Sequence, residues 1–458
     1  EIEERDWSSD VCSSDLAARQ KLFTGGIKMH LKESAYNFIY DDLGKDQIVF
    51  YNSRTGALAV VHEDQYKQYK GFQEKGKEIE DAEFLKNLLK CGYLLPAEVD
   101  EKFLIKTNMM QGRYNKNLLS LTIAPTMACN FRCIYCFEKG HYGNSLMDGE
   151  TQIALMNFIK SHLDGVKNIN VTWFGGEPLL GMSVIESLSE QIIALCEEKE
   201  LQYQAGIITN GYLLTPENAE KLKKYNVRYA QVTVDGPKEI HNERRPTVNG
   251  QGTYDVIMNN LKSICGILHV HLRINVDIKN IELANEVVSH LKQENMLEYI
   301  HPYLGLVIPY NGTYEADKCL TNELYSKYNL YFMKKNNIPF QTTYPRPRGN
   351  HCVSDFYNGW VVDEKGYLYK CWNDIGEISK AVGNINFGEN SLQSTKLISE
   401  YSSCDFFEDP KCKECKLLPV CMGGCPHSRV EGKTICHQLN FRMKDYLIEY
   451  TRTLVSTT

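Results

Sequence analysis

The cysteines of this chain fall into groups whose spacing suits metal binding. Cys129, Cys133 and Cys136 lie on one short segment with CxxxCxxC spacing. Three thiolates can hold three irons of a four-iron cluster and leave the fourth iron open to a small molecule. A structural zinc site completed by His141 is the alternative, although zinc normally takes four ligands from tidy pairs. The segment therefore predicts a cluster with an open coordination position.

A second and larger array lies near the end of the chain. Cys352, Gly366 and Cys371 are spaced as Cx13Gx4C, and Gly366 is typical of a hairpin turn that brings the two cysteines together. The array continues as Cx2Cx5Cx3C with one further thiol: Cys412, Cys415, Cys421, Cys425 and Cys436. These thiols can supply most ligands of two more clusters. Two zinc ribbons are the alternative, but their CxxC pairs would be separated more evenly.

Polar residues recur where predicted strands end. The segment WFGGEP ends one strand, and its Gly175 and Gly176 would let the backbone approach a ligand while Glu177 could accept from an ammonium group. Alone, paired glycines after a strand more often form a simple turn. Asn210 and Asp235 follow the next two predicted strands, at the ends where barrels of this type place their sites.

These residues need elements to position them, and from Leu118 the chain alternates strand and helix patterns. Six strand-like segments are each followed by a helix-length amphipathic segment: LSLTIA, NVTWF, QAGIIT, YAQVTVD, HLRINVD and YLGLVIP. Such alternation predicts an α/β fold with a parallel sheet, either doubly wound or rolled into a partial barrel. Pattern alone does not separate the two.

The remaining chain divides around this region. We expect a non-native or disordered tail over 1–28, because residues 6–16 match one reading frame of a common sequencing-library adapter and Cys12 lies within it. Three β-like stretches and two helical patterns predict a small α+β domain over 29–115. The barrel then spans 116–340. An irregular, cysteine-rich domain over 341–440 is expected to fold around metal, and a C-terminal helix covers 441–458.

Composition narrows the class of protein. The 458 residues carry a formal net charge of −7, which argues against broad binding to nucleic acid. Sixteen cysteines without a secretion signal favour metal ligation or catalysis over disulfides. No apolar run approaches the roughly 20 residues that span a bilayer. We therefore expect a cytoplasmic enzyme without membrane or nucleic-acid partners.

The CxxxCx-aromatic-C segment after the first barrel strand resembles the radical S-adenosylmethionine (SAM) superfamily, whose members fold as a partial (β/α)6 barrel. The resemblance implies that Cys129, Cys133 and Cys136 bind a catalytic [4Fe-4S] cluster, whose open iron is chelated by S-adenosylmethionine. Electron donation then yields methionine and a deoxyadenosyl radical. It also implies cofactor contacts from the GGEP motif, with Glu177 accepting from the amino group, and from Arg245 in DGPKEIHNERRP.

The second array resembles the auxiliary-cluster extension called the SPASM domain. By that resemblance one auxiliary [4Fe-4S] cluster is bound by Cys352, Cys371 and Cys425. The other is bound by Cys412, Cys415, Cys421 and Cys436, which makes three clusters in all. The first auxiliary cluster lacks one ligand unless Cys404 or Cys319 supplies it. An open iron there could bind a substrate thiolate, which is the chemistry expected for thioether formation.

The predicted function is therefore that of a radical SAM maturase, which forms a thioether (Cys-to-carbon) cross-link in a ribosomally made precursor peptide (RiPP). Flavodoxin or ferredoxin is the expected reductant. The N-terminal unit resembles peptide-recognition elements that add a leader peptide as a strand, and a structural cap is the alternative. Sulfatase maturation, which oxidises Cys or Ser to formylglycine, is a competing reading. It is disfavoured because Cys371 is followed by Trp372 rather than an acidic residue. A non-catalytic iron–sulfur electron carrier is the alternative from another class.

Overall fold

A computed structural model describes residues 30–44 and 46–455. The adapter-like segment and Cys12, which fall within the predicted tail, lie outside the described residues.

The N-terminal unit contains the three strands and two helices that the sequence predicts. Strands β2 (Asn37–Gly44), β3 (Gln47–Asn52) and β4 (Ala57–His62) form an antiparallel sheet in that order, followed by helices α1 (Glu63–Lys75) and α2 (Ala82–Lys90). Phe50 packs edge-on against Tyr69 and Tyr93 beneath the sheet. The structure adds a short pair, β1 (Leu31–Glu33) with β5 (Leu94–Pro96), and helix α3 (Glu101–Arg113) leads to the next domain.

All six predicted barrel strands are present and parallel, so the predicted α/β class is confirmed. They pair in chain order: β6 (Leu118–Ile123), β7 (Asn168–Trp173), β8 (Gln202–Thr209), β9 (Val227–Thr233), β10 (His269–Val276) and β11 (Ile300–Leu306). The intervening helices are α4 (Gly149–Ser161), α5 (Met182–Glu198), α6 (Pro216–Lys224), α7 (Lys238–Arg244), α8 (Tyr254–Ser263) and α9 (Ala284–Gln293), with α10 (Asn322–Asn336) after β11. Apolar strand residues pack against these helices in one continuous core.

The C-terminal region joins the barrel rather than standing apart from it. Strand β12 (Gly359–Val362) pairs in parallel with β6, and β13 (Tyr367–Tyr369) and β14 (Gly383–Asn384) extend the sheet to nine strands. Gly366 has φ +80 in the turn between β12 and β13, which confirms the predicted hairpin. Short helices α11 (Thr395–Ser402), α12 (Leu418–Cys421) and α13 (Pro426–Val430) precede helix α14 (Leu439–Val455).

Helix α14 lies between the N-terminal unit and the barrel and contacts both. It packs against α10 of the barrel and against β2 and β3 of the N-terminal sheet. The Lys334 ammonium lies 2.7 Å from Glu449 Oε1, and Asn329 donates to the Tyr446 hydroxyl at 2.7 Å. The predicted C-terminal helix thus begins two residues earlier than expected and holds the N-terminal unit beside the barrel.

One segment, Pro178–Glu198, is long and apolar enough to cross a membrane by length and composition, contrary to the expectation that no such run exists. Half of its most apolar window is buried. Val184, Ile185 and Leu188 belong to the barrel core, while Glu190 and Glu197 lie on the exposed face. The segment is accounted for as the amphipathic helix that follows β7.

Candidate active site and metal centres

The segment that carries Cys129, Cys133 and Cys136 follows β6 and is held on two sides by backbone hydrogen bonds. On one side, Glu177 N donates to Ala128 O at 2.8 Å. On the other side, Arg132 N donates to Pro246 O at 2.8 Å and Ile134 N donates to Arg244 O at 3.0 Å. The cysteine loop therefore lies between the GGEP loop after β7 and the segment that follows α7, as expected if all three belong to one site.

Tyr135, the aromatic residue between Cys133 and Cys136, ties this loop to two further strand ends. Its hydroxyl donates to Asp235 Oδ2 at 2.5 Å and accepts from Arg245 Nη1 at 2.7 Å and from Asn275 Nδ2 at 3.1 Å. Asp235 follows β9 and Asn275 lies in β10. The tyrosine is thus a polar anchor, a role that the sequence pattern did not reveal.

The two glycines of the GGEP motif face the cysteine loop at close range. A Cβ atom on Gly175 would lie 2.4 Å from Thr126 O, and one on Gly176 would lie 2.3 Å from Ala128 O. Gly175 also has φ +107, a conformation that L side chains rarely adopt. These contacts explain both glycines by the packing of one loop on another. Their contact with a cofactor stays a prediction.

Glu177 and Asn210 occupy the ends of β7 and β8 and contact each other. The fully buried Glu177 carboxylate accepts from Thr209 Oγ1 at 2.6 Å, Asn210 N at 2.7 Å and Leu179 N at 3.1 Å. A carboxylate offers about four lone-pair positions, so room remains for one more donor. Asn210 Nδ2 in turn donates to Asn130 Oδ1 of the cysteine loop at 2.7 Å.

The adjacent arginines at the end of α7 have different surroundings. Arg244 is paired with two carboxylates: its Nη1 lies 2.5 Å from Asp277 Oδ2 and its Nε lies 3.3 Å from Asp235 Oδ2. Buried Arg245 donates to Tyr135, yet its Nε has no hydrogen-bond partner among the described residues. The predicted choice of Arg245 over Arg244 as the ligand-binding residue is consistent with this difference. The Asp235 carboxylate is occupied by its contacts with Tyr135 and Arg244.

The titratable groups of the cysteine loop are buried, and burial raises their pKa values. Burial raises the pKa of the Cys129, Cys133 and Cys136 thiols, to about 12 for Cys136. Burial and then the nearby Glu177 charge raise the pKa of Glu138 to about 8, and Glu138 Oε1 has no partner. A bound cation is the standard way to stabilise buried thiolates, so these residues fit an iron cluster.

The first C-terminal group brings Cys352, Cys371 and Cys425 within electrostatic range of one another. The thiolate charge of Cys425 acts on Cys352, and that of Cys352 acts on Cys371. The Tyr310 hydroxyl forms a hydrogen bond with Cys425 and interacts electrostatically with Cys371. Tyr310 follows β11, so this group lies on the same side of the barrel as the other strand-end residues. Its members are those that the resemblance to the SPASM domain assigns to one cluster.

A buried cation and a buried carboxylate flank this first group. Lys370 donates to the carbonyls of Phe356 at 2.7 Å and Gly359 at 2.6 Å, and burial lowers its pKa to about 7. Asp374 accepts from Lys380 at 2.9 Å and Tyr401 at 2.8 Å. Burial of Asp374 opposes ionisation, but its hydrogen bonds outweigh burial and lower its pKa. Asp374 is therefore an ionised carboxylate.

The second C-terminal group surrounds a common cavity. Four of its lining residues are the predicted ligands of one cluster: Cys412, Cys415, Cys421 and Cys436. Arg429 also lines the cavity and donates from Nη2 to Cys412 Sγ at 2.9 Å. Burial raises the pKa of Cys421 to about 11. Four thiols and a guanidinium around one space fit an anionic cluster.

The two candidates for an additional ligand lie in different places. Cys319 lies beside Asp277 at the end of β10, whereas Cys404 lies near Arg113, Arg429 and Asp355. Within the described ranges, no group of three or more His, Cys, Asp or Glu side chains is arranged to hold a single metal ion. The zinc alternatives, including completion of the first site by His141, therefore gain no support from the side-chain positions.

His241 is a further residue that the sequence reasoning missed, although it lies in the quoted segment DGPKEIHNERRP. Asp235 N donates to its Nδ1 at 3.2 Å, and its Nε2 lies 3.0 Å from Thr253 Oγ1. Burial, followed by the charges of Arg245 and Arg244, lowers the pKa of His241 well below its usual range. The neutral ring fixes the backbone that carries Asp235.

Comparison with known proteins finds a family match over most of the barrel. Residues 123–279 match the Radical SAM superfamily, a range that runs from the end of β6 to just beyond β10. It contains the cysteine loop, the GGEP loop, Asn210, Asp235 and Arg245. The two C-terminal cysteine groups and the N-terminal unit lie outside this match.

Individual relatives extend the similarity. The chain is 25% identical over 348 residues to the radical SAM cyclopropyl synthase TigE of Paramaledivibacter caminithermalis, covering 68% of each chain. It is 26% identical over 365 residues to a cysteine-type anaerobic sulfatase-maturating enzyme of Clostridium perfringens, covering 72% of this chain and 94% of that one. The fold resembles that of Streptococcus suis SuiB bound to precursor peptide SuiA, with TM-score 0.52 and 15% identity over 89% of this chain and 99% of SuiB.

Proposed function

We propose that this chain, a radical SAM enzyme that uses a [4Fe-4S] cluster and S-adenosylmethionine, modifies a ribosomally made precursor peptide and forms a thioether cross-link in it. The observation that carries the proposal is the placement of three cysteine groups around one barrel: the loop after β6, the group beside Tyr310 and the four thiols around a common cavity. Three cysteine groups support three four-iron clusters.

Residues of the barrel would hold the catalytic cluster and its cofactor. Cys129, Cys133 and Cys136 would bind the cluster, and the remaining acceptor position of Glu177 suits the amino group of the cofactor. The unpartnered Nε of Arg245 suits its carboxylate. When bound, the cluster and cofactor supply a radical that abstracts hydrogen from the substrate. Gly175, Gly176, Asn210 and Asp235 would shape the site through the contacts that fix these side chains.

The C-terminal cysteines would hold two auxiliary clusters. Cys352, Cys371 and Cys425 form one proposed ligand set, and Cys412, Cys415, Cys421 and Cys436 form the other. Arg429 would offset the negative charge of the second set through its hydrogen bond to Cys412. A protein reductant such as flavodoxin or ferredoxin would supply the electrons.

A peptide substrate is supported by the relatives and by the N-terminal sheet. One relative is named for sulfatase maturation, and SuiB was solved with a precursor peptide. One edge of the N-terminal sheet is covered, because β2 packs against α14. On the opposite edge, no strand among the described residues pairs with the outer side of β4. A leader peptide would add there through backbone hydrogen bonds.

Thioether formation is favoured over formylglycine formation by the residue that follows Cys371. Trp372 occupies the position where the resemblance to sulfatase-maturating enzymes implies an acidic proton acceptor, and it stacks on Phe174 at 6.0 Å. Phe174 stacks in turn on Phe137 of the cysteine loop at 6.3 Å. An indole cannot act as a general base. The nearest acid in sequence, Asp374, already holds Lys380, Tyr401 and His427 through its two oxygens.

Anaerobic incubation of the reconstituted enzyme with a Cys-containing peptide encoded beside its gene tests the function. A thioether product has lost two hydrogens and one alkylatable thiol, whereas a formylglycine product has lost its sulfur and reacts with aldehyde probes. Mass spectrometry after alkylation separates these outcomes. An unmodified peptide, despite cleavage of S-adenosylmethionine, would refute peptide maturation for that substrate, and an aldehyde would establish the sulfatase-maturase alternative.

Leader binding has its own test in amide hydrogen exchange. Addition of the leader segment is expected to slow exchange of amides in β4 (Ala57–His62), while amides of β1 (Leu31–Glu33) serve as the internal control. Slower exchange at neither strand, together with unchanged product formation, would favour a structural cap over a peptide-recognition element.

A further inference from the structure

His427 has one ring nitrogen engaged and the other without a partner, although the residue is almost completely buried. Its Nε2 lies 3.0 Å from Asp374 Oδ1, and its Nδ1 has no hydrogen-bond partner among the described residues. Only 2% of His427 is exposed. A buried nitrogen lone pair left unsatisfied costs free energy, so a missing ligand at Nδ1 is the first explanation to consider.

The surroundings of His427 place it with the first C-terminal cysteine group. It lies two residues after Cys425, at the start of α13. Its ring meets the Tyr310 ring edge-on at 5.5 Å, and the Tyr310 hydroxyl hydrogen-bonds Cys425. Tyr401, which donates to Asp374, interacts electrostatically with Cys371 and Cys425. The imidazole, the carboxylate that holds it and the thiols therefore belong to one buried cluster of side chains.

The contact with Asp374 prepares the imidazole for metal binding. The Asp374 carboxylate accepts a hydrogen bond from His427 Nε2, and Nδ1 is the ring nitrogen that remains without a partner among the described residues. A histidine that binds metal through one nitrogen almost always donates the other to a carboxylate or carbonyl. Lys380 and Tyr401 both donate to Asp374 and hold the carboxylate in place. The carboxylate in turn fixes the orientation of the His427 ring.

We propose that, in the peptide-free enzyme, His427 Nδ1 is the fourth ligand of the auxiliary cluster held by Cys352, Cys371 and Cys425. The inference rests on the proposed assignment of those three cysteines to one cluster. It explains why the sequence supplies three thiols there and four in the other group. Neutral imidazole in place of a thiolate leaves this cluster one charge less negative than its neighbour.

The test is pulsed electron–nuclear resonance on the reduced, reconstituted full-length enzyme labelled with 15N-histidine and kept free of S-adenosylmethionine. A directly bound nitrogen is expected to give a strong 15N hyperfine coupling. His427→Ala should abolish the coupling while most iron is retained. His427→Cys should restore the full iron content without any nitrogen coupling, which guards against a fold defect in the alanine variant.

Two matched variants separate this assignment from its rivals. His351→Ala, next to Cys352, and Cys404→Ala, the alternative cysteine ligand, should both retain the coupling. Full iron content without 15N coupling in the parent enzyme would overturn the inference, as would loss of the coupling in His351→Ala but not in His427→Ala. A Cys352→Ala, Cys371→Ala and Cys425→Ala triple variant with undiminished iron would instead refute the auxiliary cluster itself.

Discussion

The Tyr135 hydroxyl and the Arg245 guanidinium lie 2.7 Å apart and join the cysteine loop to the segment that follows α7. The same hydroxyl donates to Asp235, so one phenol links residues about a hundred positions apart in the chain. Because Arg245 keeps an unpartnered Nε, the tyrosine orients a side chain that still has a donor to offer. The geometry makes Tyr135 a positioning residue for the proposed cofactor site.

Tyr135→Phe is expected to weaken binding of S-adenosylmethionine by about tenfold or more, because a buried hydrogen bond removed from one side costs about 1–3 kcal/mol. Equilibrium binding to the reconstituted enzyme measures the effect. Iron content should stay at the parent value, since the cysteines are unchanged. Unaltered affinity in this variant would show that Tyr135 does no more than pack the loop.

The adjacent arginines should respond differently to the same substitution. Arg244→Lys disrupts two buried ion pairs with Asp235 and Asp277 and should lower the melting temperature, because breaking such pairs costs about 3–5 kcal/mol. Arg245→Lys should chiefly weaken cofactor binding, because an ammonium cannot reproduce the planar guanidinium contacts. Thermal unfolding and cofactor titration on both variants distinguish the two roles. A larger affinity loss in Arg244→Lys would reverse the assignment.

Gly176→Ala is expected to destabilise the protein by about 1–3 kcal/mol and to reduce the iron bound by the cysteine loop, because its Cβ would collide with Ala128 O. Gly149→Ala is the matched control: nothing lies within 4 Å of the added atom at the start of α4. Denaturant unfolding and iron analysis measure both. Equal behaviour of the two variants would contradict the packing role of Gly176.

His241 predicts a specific dependence of stability on pH. Its pKa is lowered in the folded protein, so the folded state favours the neutral ring more than the unfolded state does. The resulting stabilisation is present above the unfolded value of about 6.5 and is lost as the pH falls below it. The difference in melting temperature between the parent and His241→Asn should therefore shrink below about pH 6. A constant difference from pH 8 to pH 5 would count against a neutral His241.

The features that could be predicted from sequence are those with local signals. The six barrel strands follow from apolar periodicity, and the cysteine groups follow from spacing over a few residues. The Gly366 turn was also predictable, because a left-handed conformation favours glycine. The parallel pairing of β12 with β6 was not, since a four-residue strand has too little pattern to announce a partner more than 200 residues away.

The polar contacts of the site were harder to predict because they join distant segments. Tyr135 contacts Asp235 and Arg245, and His427 contacts Asp374, across separations that no local pattern encodes. The reason for the two glycines of GGEP also emerged only when the neighbouring loop was in place. Residue type indicated which side chains could do chemistry, whereas the fold determined which of them still have free donors or acceptors.

The central claim is tested most directly by anaerobic reconstitution followed by iron and sulfide analysis and a deoxyadenosine assay with S-adenosylmethionine and strong reductant. The account predicts about twelve irons per chain with cofactor cleavage, on ligand counting for three four-iron clusters. The Cys129→Ala, Cys133→Ala and Cys136→Ala triple variant should keep about eight irons and lose cleavage. Cys265→Ala, a half-buried cysteine outside all three groups, should match the parent. Zinc in place of iron, iron without cleavage, or cleavage by the triple variant would contradict the account.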